Sequence, residues 1–72
     1  MLKYIRDEKD QFYLFSNDIK HATVAETLKL APKSAGFYMS DDANALAFGK
    51  SMTLNLGALP DDIVLIKKQM GE

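Results

Sequence analysis

The chain has 72 residues, no cysteine, one histidine and a formal net charge of −1, with 47% apolar and 26% charged residues. A chain this short forms one domain, and its core leaves it only modest stability. The composition excludes a disulfide framework, a thiolate or multi-histidine metal centre, the strongly basic surface typical of DNA-binding domains and the strongly acidic surface of a DNA mimic.

The opening "MLKYIRDEKD" carries charges and no apolar run, so neither a signal peptide nor an anchor is expected. No stretch approaches the roughly 20 apolar residues of a membrane span. The expected setting is cytoplasmic.

Residues 2–6 and 11–15 are rich in β-branched and aromatic side chains and flank the charged run Asp7-Glu8-Lys9-Asp10. They predict a β-hairpin. Alternation assigns Tyr4, Phe12 and Leu14 to one face, and Ile5, Tyr13 and Phe15 to the other. With apolar groups on both faces, the hairpin is either covered on both sides or meets a partner. Tyr4, Tyr13, Phe15 and Tyr38 are the candidate interaction surface.

A helix is predicted over residues 22–30. Val24, Ala25 and Leu28 form its stripe, Thr23 and Glu26 fit a capping box with His21 as rival N-cap, and Pro32 closes it. Residues 34–39 predict a third strand and 40–44 a turn. Residues 45–54 predict a fourth strand, irregular at Gly49, with Phe48 and Leu54 buried under the helices. At the end, Pro60 suits a first helical position. Asp61-Asp62 and Lys67-Lys68 match the two poles of the helix. Ile63, Ile66 and Met70 face the core, and Gly71 is the C-cap. The order β-β-α-β-β-α predicts an α+β fold: an antiparallel sheet of about four strands with both helices on one face.

Gly49-Lys50-Ser51 spells the end of the phosphate loop G-x-x-x-x-G-K-[ST]. The first glycine position is Asn44, however, and "ALAF" between them favours an extended, buried segment. A strand rather than a helix follows. No nucleotide site is expected, and Lys50 should face solvent. The pairs Asp41-Asp42 and Asp61-Asp62 suit a turn and a helix start. His21 reads as a cap or surface residue rather than a general base. Ser34, Ser40 and Ser51 lack a nucleophile-elbow context. Phe12, Tyr13, Phe15, Phe37 and Tyr38 have the chemistry to stack on bases, but few basic residues interleave with them. No catalytic, cofactor-binding or metal residue is expected.

The segments "HATVAETL", "SAGF" (34–37), "AFGKSMTLNL" (47–56) and "LPDDIVLIKK" (59–68) resemble small uncharacterised proteins encoded by phages, prophages and their bacterial hosts. The resemblance covers most of residues 21–68. It implies an accessory protein of a mobile element or its host and carries no defined activity. "SAGF" reads as a packing motif whose small residues allow close helix approach. The leading expectation is a small non-enzymatic interaction protein, as a homodimer or with another protein. The alternative is a nucleic-acid accessory factor in which Lys20, Lys29, Lys33, Lys50, Lys67 and Lys68 gather on one side.

Overall fold

The computed structural model describes residues 1–71. Strands β1 (Leu2–Asp7) and β2 (Phe12–Ser16) form the expected hairpin, with Tyr4 opposite Leu14 and Ile5 opposite Tyr13. Its turn closes without glycine. The Asp7 carboxylate accepts the N–H groups of Lys9 and Gln11, both at 2.9 Å, and Asp10 takes φ 65°. Aspartate tolerates this left-handed conformation because its short polar side chain bonds locally. Helix α1 (His21–Thr27) leads to β3 (Pro32–Ser40), which pairs with the other side of β1, and β4 (Ala45–Phe48) pairs with β3. The result is a four-stranded antiparallel sheet in the order β2-β1-β3-β4. A short ribbon of β5 (Lys50–Ser51) and β6 (Leu56–Gly57) follows, then helix α2 (Asp62–Gln69). The α+β class and the four-stranded antiparallel sheet are as the sequence predicts.

The helices do not share one face of the sheet. Tyr4, Phe12 and Tyr38 pack with Ile66 of α2, joined by Ala45 and Ala47 of β4. Ile5 and Ala35 pack with Ala25 of α1, joined by Phe15, Val24, Leu54 and Leu56. Tyr4 and Ile5 are consecutive, so their side chains leave opposite sides of the pleat. The hairpin is apolar on both faces because both are covered, α2 on one side and α1 with the ribbon on the other.

The predicted strand over residues 45–54 breaks in two. Gly49 adopts φ 75°, and residues 52–55 form a turn in which Ser51 Oγ accepts the Leu54 N–H at 3.1 Å and Asn55 takes φ 55°. Local serine bonding and a left-handed asparagine outweigh the period-two alternation. The expectation for Phe48 is overturned: its side chain is 39% exposed. Leu54 is half-buried and packs on the α1 side.

Helix α1 starts one residue earlier than predicted and ends sooner. Lys20 is its N-cap without a side-chain bond, so the Thr23 capping box is absent. Instead, Thr53 Oγ1 accepts the Ala22 N–H at 3.2 Å from across the fold. At the other end, Lys29 takes φ 56° and Leu30 N–H reaches Ala25 C=O at 2.9 Å. This is a Schellman-type stop placed before Pro32. In α2, Ile66 is fully buried and Ile63 half-buried, whereas Met70 is exposed past the last turn. Gly71, at φ 85°, closes the helix by donating to Lys68 C=O at 3.1 Å.

Candidate interaction surface

The densest polar constellation joins α2 to the sheet. Asp62 is fully buried. Its Oδ2 accepts the Tyr4 hydroxyl at 2.5 Å and the Leu59 N–H at 2.9 Å, and its Oδ1 accepts Arg6 Nη1 at 2.9 Å. Ser34 Oγ donates across both oxygens at 3.0 and 2.9 Å. Arg6 also reaches Asp61 at 3.0 Å and Asp10 at 2.9 Å. Burial opposes the guanidinium charge. The three carboxylates outweigh burial and hold Arg6 above its ordinary pKa. Burial, followed by the Asp62 carboxylate, pushes the Tyr4 hydroxyl up. The Arg6 bond holds Asp61 low, and Lys33 followed by Arg6 does so for Asp10. Tyr4, Arg6, Ser34 and Asp62 are all buried, and their polar groups bond one another. The arrangement is a clamp that fixes α2.

His21 is likewise committed. It is buried between Phe15 and Phe37, with ring centroids 5.5 and 5.8 Å away, and its Nε2–H donates to Gly36 C=O at 2.9 Å. Burial holds its pKa below the usual histidine value despite the Gly36 bond, and Lys3 adds to the effect. The unfolded chain therefore takes up the proton first as pH falls. The stability that neutral His21 contributes is complete above the unfolded value of 6.5 and is lost below it, as pH falls toward the folded pKa. The urea midpoint is expected to fall between about pH 7 and pH 5, and to fall less in His21→Gln, whose amide can still donate to Gly36. Equal falls in the two proteins would contradict this role.

Of the predicted surface residues, the structure removes two. Tyr4 and Tyr38 belong to the core under α2. Tyr13 and Phe15 are half-buried on the α1 side, where the Tyr13 hydroxyl donates to Asp7 at 3.3 Å. The predicted set does not form one surface.

The exposed apolar residues lie elsewhere, around β4. Met39 pairs with Leu46 and Phe37 with Phe48, which puts these four on the face opposite α2. α1 and the ribbon leave Met39, Leu46 and Phe48 uncovered, and Leu46 is 54% exposed. The sequence held a signal for this. In "ALAF" the two alanines are the small residues, and they are the ones under α2, so the large residues point outward.

The two outer edges of the sheet also differ. On β2, Gln69 bonds Phe12 as a neighbouring strand would. Its Oε1 accepts the Phe12 N–H, and its Nε2 donates to the Phe12 C=O, both at 2.8 Å. Further along, Ser16 C=O accepts the Ile19 N–H at 3.1 Å. Among the described residues, no backbone or side-chain bond closes β4 in this way at Ala45 or Ala47. Unpaired edges of this kind are templates for another strand.

Two of the surface hollows are lined by charged residues. One, of about 460 Å³, lies between the β3–β4 turn and the end of α2, lined by Asp41, Asp42, Asn44, Lys67 and Met70. Asp41 is used internally, accepting the N–H groups of Ala43 and Asn44. The other, of about 160 Å³, is lined by Lys3, Lys20, Lys50, His21, Phe37 and Thr53. It brings together two of the six predicted lysines. Lys33 pairs with Asp10 and Lys67 lines the first hollow, so the six do not form one patch. Lys50 is exposed on β5, and a turn rather than a helix follows it. The three carboxylates that converge, those of Asp10, Asp61 and Asp62, surround Arg6. Among the described residues, no helix is long and apolar enough to cross a membrane.

Compared with protein-family models, curated proteins and solved structures, the chain matches none.

Proposed function

We propose that this protein is a non-enzymatic interaction module that binds a protein partner along the outer edge of β4. The observation that carries the reading is the open edge at Ala45 and Ala47 flanked by exposed Leu46, Phe48 and Met39, set against a β2 edge that Gln69 bonds at Phe12. A paired edge strand supplies backbone bonds, and the apolar row beside it supplies buried area. The buried polar groups support the reading from the other side. Asp62, Arg6, Tyr4 and His21 are taken up in bonds that hold the fold. On the resemblance to phage and prophage proteins, we read the chain as a cytoplasmic accessory protein of a mobile element or its host, taking no nucleotide or cofactor.

The test is a photo-reactive residue at Leu46, illuminated in a host-cell lysate. A protein adduct of either kind, to another protein or to a second copy, is expected there. A control at Val64, exposed on α2, should form none. No adduct at Leu46, or equal adducts at both positions, would contradict the proposal. A second reading, single-stranded nucleic acid bound at the Lys3, Lys20 and Lys50 hollow, is favoured by the grouping of those lysines beside Phe37. It requires binding of a labelled oligonucleotide at low salt that is lost steeply with added salt.

A further inference from the structure

We infer that the hollow lined by Lys3, Lys20, Lys50, His21 and Phe37 binds a single tetrahedral dianion, a phosphate either free or at the end of a small ester, and that His21 takes up a proton when the site fills. This site and the β4 edge are separate, and each holds without the other. The three lysines come from different parts of the chain: β1, the residue before α1, and β5. Among the described residues, no carboxylate lines the hollow, and none of these three lysines is in an ion pair. The chain as a whole has a net charge of −1, so the grouping is not a sample of a generally basic surface. Positive charges brought together without a counter-charge repel one another, and a concave surface of one sign concentrates the opposite ion. Lys3 is held at the rim, where its Nζ donates one of its three protons to Ile19 C=O at 2.8 Å. A volume of about 160 Å³ lies below the roughly 300 Å³ at which pockets for drug-sized ligands begin, which suits one phosphate group and not a run of nucleotides.

His21 adds an independent feature. Its Nε2–H donates to Gly36 C=O, so in the neutral ring Nδ1 carries only a lone pair. Nδ1 bonds to none of the described residues, and among them no buried side-chain nitrogen or oxygen lacks a partner. Nδ1 of this 3% exposed residue is therefore open to solvent, and the hollow that His21 lines is where it opens. A lone pair repels an oxyanion, whereas a protonated Nδ1–H donates a charge-assisted bond to it. Burial, and then Lys3, hold the ring below its usual pKa and keep it neutral near pH 7. The charged groups that face it across the hollow are Lys3, Lys20 and Lys50, all cationic. A bound dianion offsets their field and favours the imidazolium. Filling the site and protonating His21 thus assist each other, and the coupling is reciprocal.

The chain has one histidine, so a single imidazole resonance follows His21 through a pH titration. Sulfate is the first probe, because it stays doubly charged where phosphate changes its own protonation. At constant ionic strength, saturating sulfate is expected to raise the His21 pKa by about one pH unit, which is about a tenfold preference for the protonated protein. Sulfate affinity should rise as pH falls from about 7.5 to about 5.5 in the wild type. It should stay level in His21→Gln, which keeps a donor for Gly36 C=O but takes up no proton. Lys20→Ala and Lys50→Ala, at exposed positions, should each weaken sulfate binding about tenfold, and Lys67→Ala, beside the other hollow, should not. Inorganic phosphate and glycerol phosphate should bind at the same site, and the tighter of the two identifies the source as the free ion or an ester. A His21 titration unmoved by sulfate, a pH dependence retained in His21→Gln, or losses no larger at Lys20 and Lys50 than at Lys67 would each overturn the inference. An oligonucleotide that binds here while sulfate and phosphate do not would also overturn it, and would leave the hollow to the nucleic-acid reading.

Discussion

Asp62→Ala is expected to cost about 3–5 kcal/mol, the usual result of leaving one member of a buried ion pair without its partner. The carboxylate removed is fully buried and serves four donors: the Tyr4 and Ser34 hydroxyls, the Arg6 guanidinium and the Leu59 N–H. After truncation, Arg6 keeps only Asp61 and Asp10, whose side chains are largely in water. The Tyr4 and Ser34 hydroxyls lose these bonds inside the core, and each unsatisfied group adds a desolvation penalty of roughly 1–3 kcal/mol at most. A domain of this size has little stability to spare. Loss of the far-UV signal at 25 °C, or a urea midpoint shifted almost to zero, is the expected readout. A midpoint within about 0.5 kcal/mol of wild type, as at an ordinary surface site, would show that Asp62 does not clamp α2.

Gly36→Ala is expected to be similarly disruptive, for a steric reason. A Cβ at Gly36 would lie 2.5 Å from the Phe48 carbonyl oxygen and 3.3 Å from the Tyr4 ring. The first contact is with backbone, so no side-chain rotation relieves it, and β4 has to move away from β3. Overpacking of this kind costs about 1–3 kcal/mol even where side chains can adjust. The upper end is expected here. The variant should also lose protection of the Leu46 and Phe48 amides, because those bonds hold β4 to β3. A Gly36→Ala protein with wild-type stability would mean that the two strands are not as close as described.

The hairpin of β1 and β2 was legible because β-branched and aromatic runs flank a turn made only of charged residues. The end of the chain was legible because the acidic start, the basic finish and Gly71 agree on one helix, although Pro60, expected at its first position, lies before the Asp61 N-cap. What alternation could not reveal is which side of a strand the protein covers. Leu46 and Phe48 alternate as buried residues do, yet they face outward, because α2 lies against the small Ala45 and Ala47. Gly36 was read as making room for a helix, and it makes room for a strand carbonyl. Asp62 was read as a charge at a helix start. Its burial depends on Tyr4, Arg6 and Ser34, which lie 58, 56 and 28 residues away and which no local pattern connects to it. His21 was expected on the surface or as a cap. It is enclosed because Phe15 and Phe37, from two different strands, close over it.

Amide hydrogen exchange along β4, followed residue by residue, tests the open edge most directly. In dilute protein, the Leu46 and Phe48 amides should be protected by β3 while those of Ala45 and Ala47 exchange freely. Protection of Ala45 and Ala47 already complete in dilute monomer would contradict the account.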